Sequence, residues 1–442
     1  MGNHTDAQAP SASAWPLVRF FTLSAGLCYN PHRQEFNTSP RTLNNAPTLV
    51  PAFAGQDEAF SSAFSILRDA IAQRAFPAAS IAVTHQTRLV ALKSFGHFRY
   101  EAGAPSLAVG APLLRGAPGL AEFARPGKVT PTTLFDLASL TKVVATTTMA
   151  MILYERGLLE LDASVVGVLP EFRSSSDSRR DQVTFRMLLA HSSGLPAYEK
   201  LFLKAHTRDE LPSAAFAMQL TADPGSRAEY SDIGFIILGV ALERIAEESL
   251  DRFCQREIFG PLAMTHTAFN PPADLRSQIP PTADDRTFRN RIIQGEVQDE
   301  NAFVLGGAAG HAGLFSTAED VARFAHTMLE CGAGAPAGER QGQSQLILRP
   351  ETVSLFTSRE SSPSGTSRAL GWDTPSSPSQ SGRHFSPASF GHLGYTGTSL
   401  WIDPERRLSI TLLTNRTWPD CTSQAIKQVR PNFHDAIIEA LA

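Results

Sequence analysis

Segments of strand character stand at both ends of this chain, with a long stretch of helical periodicity between them. That order restricts the fold more than any other feature. Residues 79–95 form a β-rich run whose core candidates are Ile81, Val83, Leu89 and Leu92. Near the other end, 394–402 and 408–415 are β-rich, and Asp403-Pro404-Glu405 between them reads as the turn of an antiparallel hairpin. Helical spacing marks 60–75, 137–156 (stopped by Gly157), 235–248 and 433–441. At ~150 residues per domain, 442 residues would divide into about three. Strands at both ends around a helical middle favour instead one α+β unit, an antiparallel sheet flanked by helices with an inserted all-α subdomain. The expected boundaries are a flexible N-terminal extension over 1–55 and one domain over 56–442. Its α/β part would be 56–150 and 296–442, and its helical subdomain 151–295.

Composition removes several classes of function. A hydrophobic fraction of 42% rules out wholesale disorder. Lys plus Arg number 39 against 43 for Asp plus Glu, and the net charge of -4 leaves no basic footprint for nucleic acid. No run of ~18 apolar residues suggests a membrane span. Cys28, Cys254, Cys331 and Cys421 are far apart, without CxxC or Cys/His ligand spacing, so no metal or other cofactor is expected. Residues 102–128 read as a surface insertion, and 331–345 and 358–390 as loops. Segment 15–28 comes nearest to a signal sequence. Arg19 interrupts its apolar run, no basic region precedes it, and Leu27 before Cys28 does not suit a lipoprotein cleavage site. The compartment stays open, a cytoplasmic location being favoured over a periplasmic one, and oligomeric state is not indicated.

G-x-S-x-G, HExxH and the phosphate-binding G-x-x-x-x-G-K-[ST] loop are all absent. Ser139-Leu140-Thr141-Lys142 is an S-x-x-K, and of six lysines only Lys142 has Ser three residues before it. About 0.5 such matches would arise by chance, so context must carry the reading. Ser139 falls at the start of a helical run and Lys142 one turn later on the same face. A desolvated lysine there can take the proton of a hydroxyl nucleophile, and the helix start leaves the Ser139 N–H for an oxyanion. The bland alternative is an N-terminal helix serine beside a solvated lysine.

Tyr230-Ser231-Asp232 precedes an apolar helix. A Tyr phenol near an ammonium can be held partly ionised as a general base, and Asp232 could accept from Lys142. Equally, Ser231 or Asp232 could simply be the N-cap. In His392-Leu393-Gly394-Tyr395-Thr396-Gly397, Gly394 would let a substrate lie close to a strand edge, and Tyr395 N–H could be a second oxyanion donor. His392 could hydrogen-bond the hydroxyls or the substrate, although a lone His before a strand is more often a surface residue. His311 could line the same site, Asp299-Glu300 reads as structural rather than cation-binding, and His191 as a buried or capping histidine.

Taken in order, S-x-x-K, Y-x-[N/D] and [K/H]-x-G resemble the serine β-lactamase and penicillin-binding-protein superfamily. The Tyr of the second element is similar to class C β-lactamases and family VIII carboxylesterases. LFDLASLTK (134–142), TFRMLLAHSSGLP (184–196), PGSRAEYSDIGFIILG (224–239), GEVQDENAFVLGGAAGHAGLFSTAEDVARF (295–324) and residues 390–416 carry the resemblance. It covers roughly 58–442 and fails over 1–55, 102–128 and 358–390. It implies a serine hydrolase working through an acyl-enzyme, with Ser139 as nucleophile, Lys142 as its proton partner and Tyr230 as base for the deacylating water. Ser139 and Tyr395 would supply the oxyanion N–H groups.

Two departures bear on the substrate. The family's β-lactamases and peptidases carry Lys where this chain has His392, and usually Asn where it has Asp232. A neutral His holds a substrate carboxylate poorly. Both changes point away from β-lactams and towards neutral esters or amides, so the expected partner is a small-molecule ester, amide or β-lactam-like compound, with esters first. The alternatives are a D-amino-acid peptidase or β-lactamase of cell-wall metabolism, or a catalytically silent sensor of cell-wall fragments. The intact Ser139, Lys142 and Tyr230 argue against silence.

Overall fold

The computed structural model describes residues 49–100, 127–332 and 347–442. Most of the expected extension, segment 15–28 with Cys28, residues 102–126 of the insertion and 333–345 of a loop lie outside the described residues. The main sheet has six strands: β1 (Val50–Pro51), β2 (Ala78–His85), β3 (Arg88–Gly96), β4 (Phe390–Leu393), β5 (Ser399–Asp403) and β6 (Leu408–Thr414). Their spatial order is β1-β3-β2-β6-β5-β4, antiparallel throughout except for the short β1–β3 pair. The two chain ends meet at its centre, where Ile81 faces Leu412 and Val83 faces Ile410 across β2 and β6.

Strand period two sends alternate side chains to opposite faces. Ile81, Val83, Trp401, Ile410 and Leu412 pack with helices Ser61–Ala72 and Ile426–Leu441. Ala82, Leu400, Ile402 and Leu413 face the other way, into the core shared with helix Ala318–Gly332 and the helical middle. Each large aliphatic side chain so buried stabilises the fold by about 1.5–3 kcal/mol. The fold is therefore α+β, as expected, with helices on both faces of a mainly antiparallel sheet.

Several elements differ from their sequence reading. The run 79–95 is a hairpin, because Gln86 (φ 48°) and Thr87 (φ 68°) turn the chain in left-handed conformations usually announced by Asn-Gly. The run beginning at 394 is strand only from Ser399 on. Before it, residues 390–393 form the separate edge strand β4, and 394–398 connect the two. Residues 151–295 also hold short strands: Ala283–Asp285 pairs with Arg291–Ile293, and Ala268–Phe269 joins a small sheet. That small sheet places Leu314–Ser316 between Ala268–Phe269 and Phe135–Asp136, and so ties the S-x-x-K turn to the loop ahead of 314. The last helix spans Ile426–Leu441 with Pro431 inside it, ahead of the start read at 433.

Candidate active site

The stretch read as one helix over 137–156 is a 3-10 turn at Ala138–Leu140, a π turn at Lys142–Thr147 and an α-helix at Thr148–Glu155. The Thr148 hydroxyl donates to the Val143 carbonyl five residues back, at 2.8 Å, which suits the wider π turn. Ala138, immediately before Ser139, has φ 48°, an unfavourable conformation for a residue with a Cβ. Asp136 holds it there. Its Oδ1 accepts from Ala138 N–H at 2.8 Å, its Oδ2 from Gln298 N–H at 2.7 Å, and its carbonyl from the Thr396 hydroxyl at 2.8 Å. Burial pushes the Asp136 carboxyl up to about 6. Asp136, through its carboxylate and its backbone carbonyl, thus joins three segments that border the site.

At the cavity floor, Ser139 Oγ lies 3.0 Å from Lys142 Nζ and 2.7 Å from the Tyr230 phenol, which donates to it. Lys142 is fully buried, and its Nζ also reaches Asp232 Oδ1 at 2.6 Å and the His311 carbonyl at 2.9 Å. Burial lowers the Lys142 ammonium from its ordinary value, and Asp232 pulls the other way. Burial, then Asp232, raise the Tyr230 phenol well above its ordinary value, while the Ser139 bond and Arg368 oppose them. The phenol is therefore protonated at rest, which corrects the expectation of partial ionisation. Ser231 does cap the following helix, Asp232–Ala246, by accepting from Gly234 N–H at 2.9 Å. Capping and site-building coexist because Tyr230 and Asp232 flank the cap.

His392 is buried on β4, its Nδ1 2.8 Å from the Leu393 carbonyl and its ring 6.0 Å from that of Tyr230. Burial, then Lys142 and Arg368, hold it well below the ordinary histidine range, so the ring is neutral. Gly394 borders the cavity, but the space beside its Cα is taken by protein. A Cβ there would stand 1.9 Å from Thr398 Oγ1 and 2.5 Å from the Leu137 carbonyl. Close packing of the Ser139 turn on the strand end, rather than of a substrate, accounts for that glycine. Tyr395 is 50% exposed at the rim, with the Arg416 guanidinium 4.6 Å over its ring.

The seven residues read from the motifs (Ser139, Lys142, Tyr230, Asp232, His392, Gly394 and Tyr395) thus come together, Lys142 beneath and the others around one cavity of about 640 Å³. His311 borders it too, its Nε2 2.8 Å from Asp299 Oδ1, and Asp299 caps helix Glu300–Val304. His191 is buried behind Tyr230 and accepts from Ser231 N–H at 3.0 Å. Asp136 and Arg368 were missed. Asp136 bonds to the N–H two residues on, a local turn signal that a closer reading finds. Arg368 lies in the Ser/Pro-rich stretch read as a loop, and nothing in the sequence marks it.

A β-lactamase-like α+β fold with Ser, Lys and Tyr meeting at one cavity defines the class of serine β-lactamases and penicillin-binding proteins. The β-lactamase family model matches residues 64–428, and the chain belongs to that family and is a serine hydrolase. An N-acetylmuramyl-L-alanine amidase of Bacillus subtilis (strain 168) is 32% identical over 373 residues, 77% of each chain. A protein of Escherichia coli (strain K12), provisionally named a D-alanyl-D-alanine carboxypeptidase, is 34% identical over 318 residues, 66% of this chain and 71% of its own. Among solved structures, EstCE1, described as a hydrolase with promiscuous acyltransferase activity, superposes with a TM-score of 0.65 at 19% identity. That match covers 87% of this chain and 100% of EstCE1. Among the described residues no helix is long and apolar enough to cross a membrane.

Proposed function

We propose that this chain hydrolyses carboxylic esters through an acyl-enzyme on Ser139. The observation that carries the reading is the placement of Ser139 Oγ between the Lys142 amine at 3.0 Å and the Tyr230 phenol at 2.7 Å. In its neutral form, favoured by burial, Lys142 accepts the Ser139 proton as Oγ attacks the substrate carbonyl carbon. The Tyr230 phenol gives its proton to the departing alkoxide. The remaining phenolate, a strong base because its acid is weak, takes a proton from water. The resulting hydroxide attacks the acyl carbon, and Ser139 Oγ leaves with the proton held on Lys142. Backbone N–H groups of Ser139 and Tyr395 receive the oxyanion.

Esters come before β-lactams because His392 is neutral and Asp232 is acidic, so the strand edge offers no ammonium to a β-lactam carboxylate. A second reading, cleavage of amides in peptides containing D-amino acids, draws support from the name of the relative at 34% identity, while the name of the one at 32% supports amide cleavage alone. A fluorophosphonate probe should label the wild type and not Ser139→Ala. p-Nitrophenyl butyrate should turn over faster than nitrocefin, with release of D-Ala from a D-Ala-D-Ala peptide scored beside them. An unlabelled wild type would sink the Ser139 reading, and faster nitrocefin turnover would sink the ester preference.

A further inference from the structure

Lys142 can take the Ser139 proton only if its lone pair points at the hydroxyl. A neutral amine has two N–H groups, and the acceptors beside Nζ other than Ser139 are Asp232 Oδ1 at 2.6 Å and the His311 carbonyl at 2.9 Å. With both N–H groups so placed, the lone pair is left facing Ser139 Oγ at 3.0 Å. Asp232 is fixed as the first residue of helix Asp232–Ala246. The His311 carbonyl belongs to a loop, and its position depends on what holds that loop.

One anchor lies a residue earlier. The Thr146 hydroxyl donates to the Gly310 carbonyl at 2.7 Å, and Gly310 packs so closely on helix Asp232–Ala246 that a Cβ there would stand 2.2 Å from the Phe235 carbonyl oxygen. The other anchor is the ring of His311 itself, 1% exposed, whose Nε2 lies 2.8 Å from Asp299 Oδ1. A carboxylate only accepts, so Nε2 carries the proton. The same Oδ1 accepts from Ala302 N–H at 2.7 Å, which ties the ring to helix Glu300–Val304. His311 Nδ1 has no hydrogen-bond partner among the described residues. An orphaned buried nitrogen is a cost that an apolar side chain of similar size would avoid, so packing alone does not account for a histidine here.

We infer that His311 and Asp299 are positioning residues for Lys142: the bond between them fixes the carbonyl that turns the lysine lone pair towards Ser139. This rests on the Ser139 reading and deepens it. Asp299, which the sequence marks only as structural, thereby takes part in the chemistry through Lys142. The two side chains act as one unit, since removing either releases the same carbonyl.

The test measures kcat and KM for p-nitrophenyl butyrate with the full chain, as wild type, His311→Leu, His311→Gln, Asp299→Ala and the double variant His311→Leu with Asp299→Ala. His311→Leu and Asp299→Ala should each lower kcat about tenfold to a hundredfold, as expected for a misplaced proton acceptor, with KM changed less than about threefold. The double variant should lose no more than the more damaged single one. His311→Gln, whose amide keeps a donor near the position of Nε2, should recover most of the loss. A kcat for His311→Leu within about threefold of wild type, no recovery in His311→Gln, or losses that multiply in the double variant overturn the inference and leave the Ser139 reading intact. Asp299→Ala also removes a helix cap, and where it fails to fold the two His311 variants decide. A wild type that neither cleaves the ester nor is labelled by the fluorophosphonate overturns both.

Discussion

The floor and the rim of the cavity are built on opposite principles. At the floor, Lys142 has three partners drawn from three parts of the chain, and Ser139 Oγ is held from two sides. At the rim, Tyr395 is half exposed, and the largely buried Arg416 beside it donates to backbone carbonyls and lies over its ring. Charges at the floor act through protein, where attraction and desolvation are both large, while groups that open to solvent at the rim, such as Tyr395, are screened by water. Chemistry that moves protons needs the first environment. Admission of a substrate needs the second.

Substitutions graded from floor to rim should reproduce that contrast. Lys142→Met should have the largest effect, lowering kcat on p-nitrophenyl esters about 10²- to 10⁴-fold by removing the proton acceptor. It should also lower Tm, since Asp232 loses its partner. Turnover within a few-fold of wild type would show that the floor does not work as a unit. Gly394→Ala should come next, because its methyl meets Thr398 Oγ1 and the Leu137 carbonyl. A cost of about 1–3 kcal/mol is expected by urea unfolding, with kcat lost as well because Leu137 precedes the Ser139 turn.

The third prediction concerns pH. Burial lowers His434 from 6.5 to about 4, so the unfolded chain binds its proton first. Stability should therefore fall as pH drops from 6.5 towards 4, by a few kcal/mol from this residue. His191 and His392, held well below their ordinary value by burial, act in the same direction. Urea midpoints should fall less steeply with acid in His434→Gln than in wild type. Tyr395→Phe should have the smallest effect, less than about threefold on kcat/KM, since the proposed donor is its backbone N–H and its side chain is half solvated. A larger loss would move the phenol into the chemistry and blur the line between floor and rim.

Features written in short spacings were legible. Ser139 and Lys142 lie one turn apart, Tyr230 and Asp232 flank a capping serine, and the strands at the two ends announced a shared sheet. Each depends on local geometry, which a helix or strand period transmits directly from residue order. The hairpin inside 79–95 escaped notice because Gln86 and Thr87 lack turn chemistry, and β4 because its strand is short and adjoins a Gly-rich connection.

What residue order determined by itself was the class of fold and the inventory of the floor, because period, capping and spacing are properties of neighbouring residues. Only the tertiary structure decided the protonation and charge of the site. Burial, set by the whole chain, keeps the Tyr230 phenol protonated and His392 neutral. Packing between segments more than a hundred residues apart brings Asp136 to Thr396 and Arg368 to Tyr230. Desolvation and long-range electrostatics depend on what surrounds a group in space, and no local pattern carries that information.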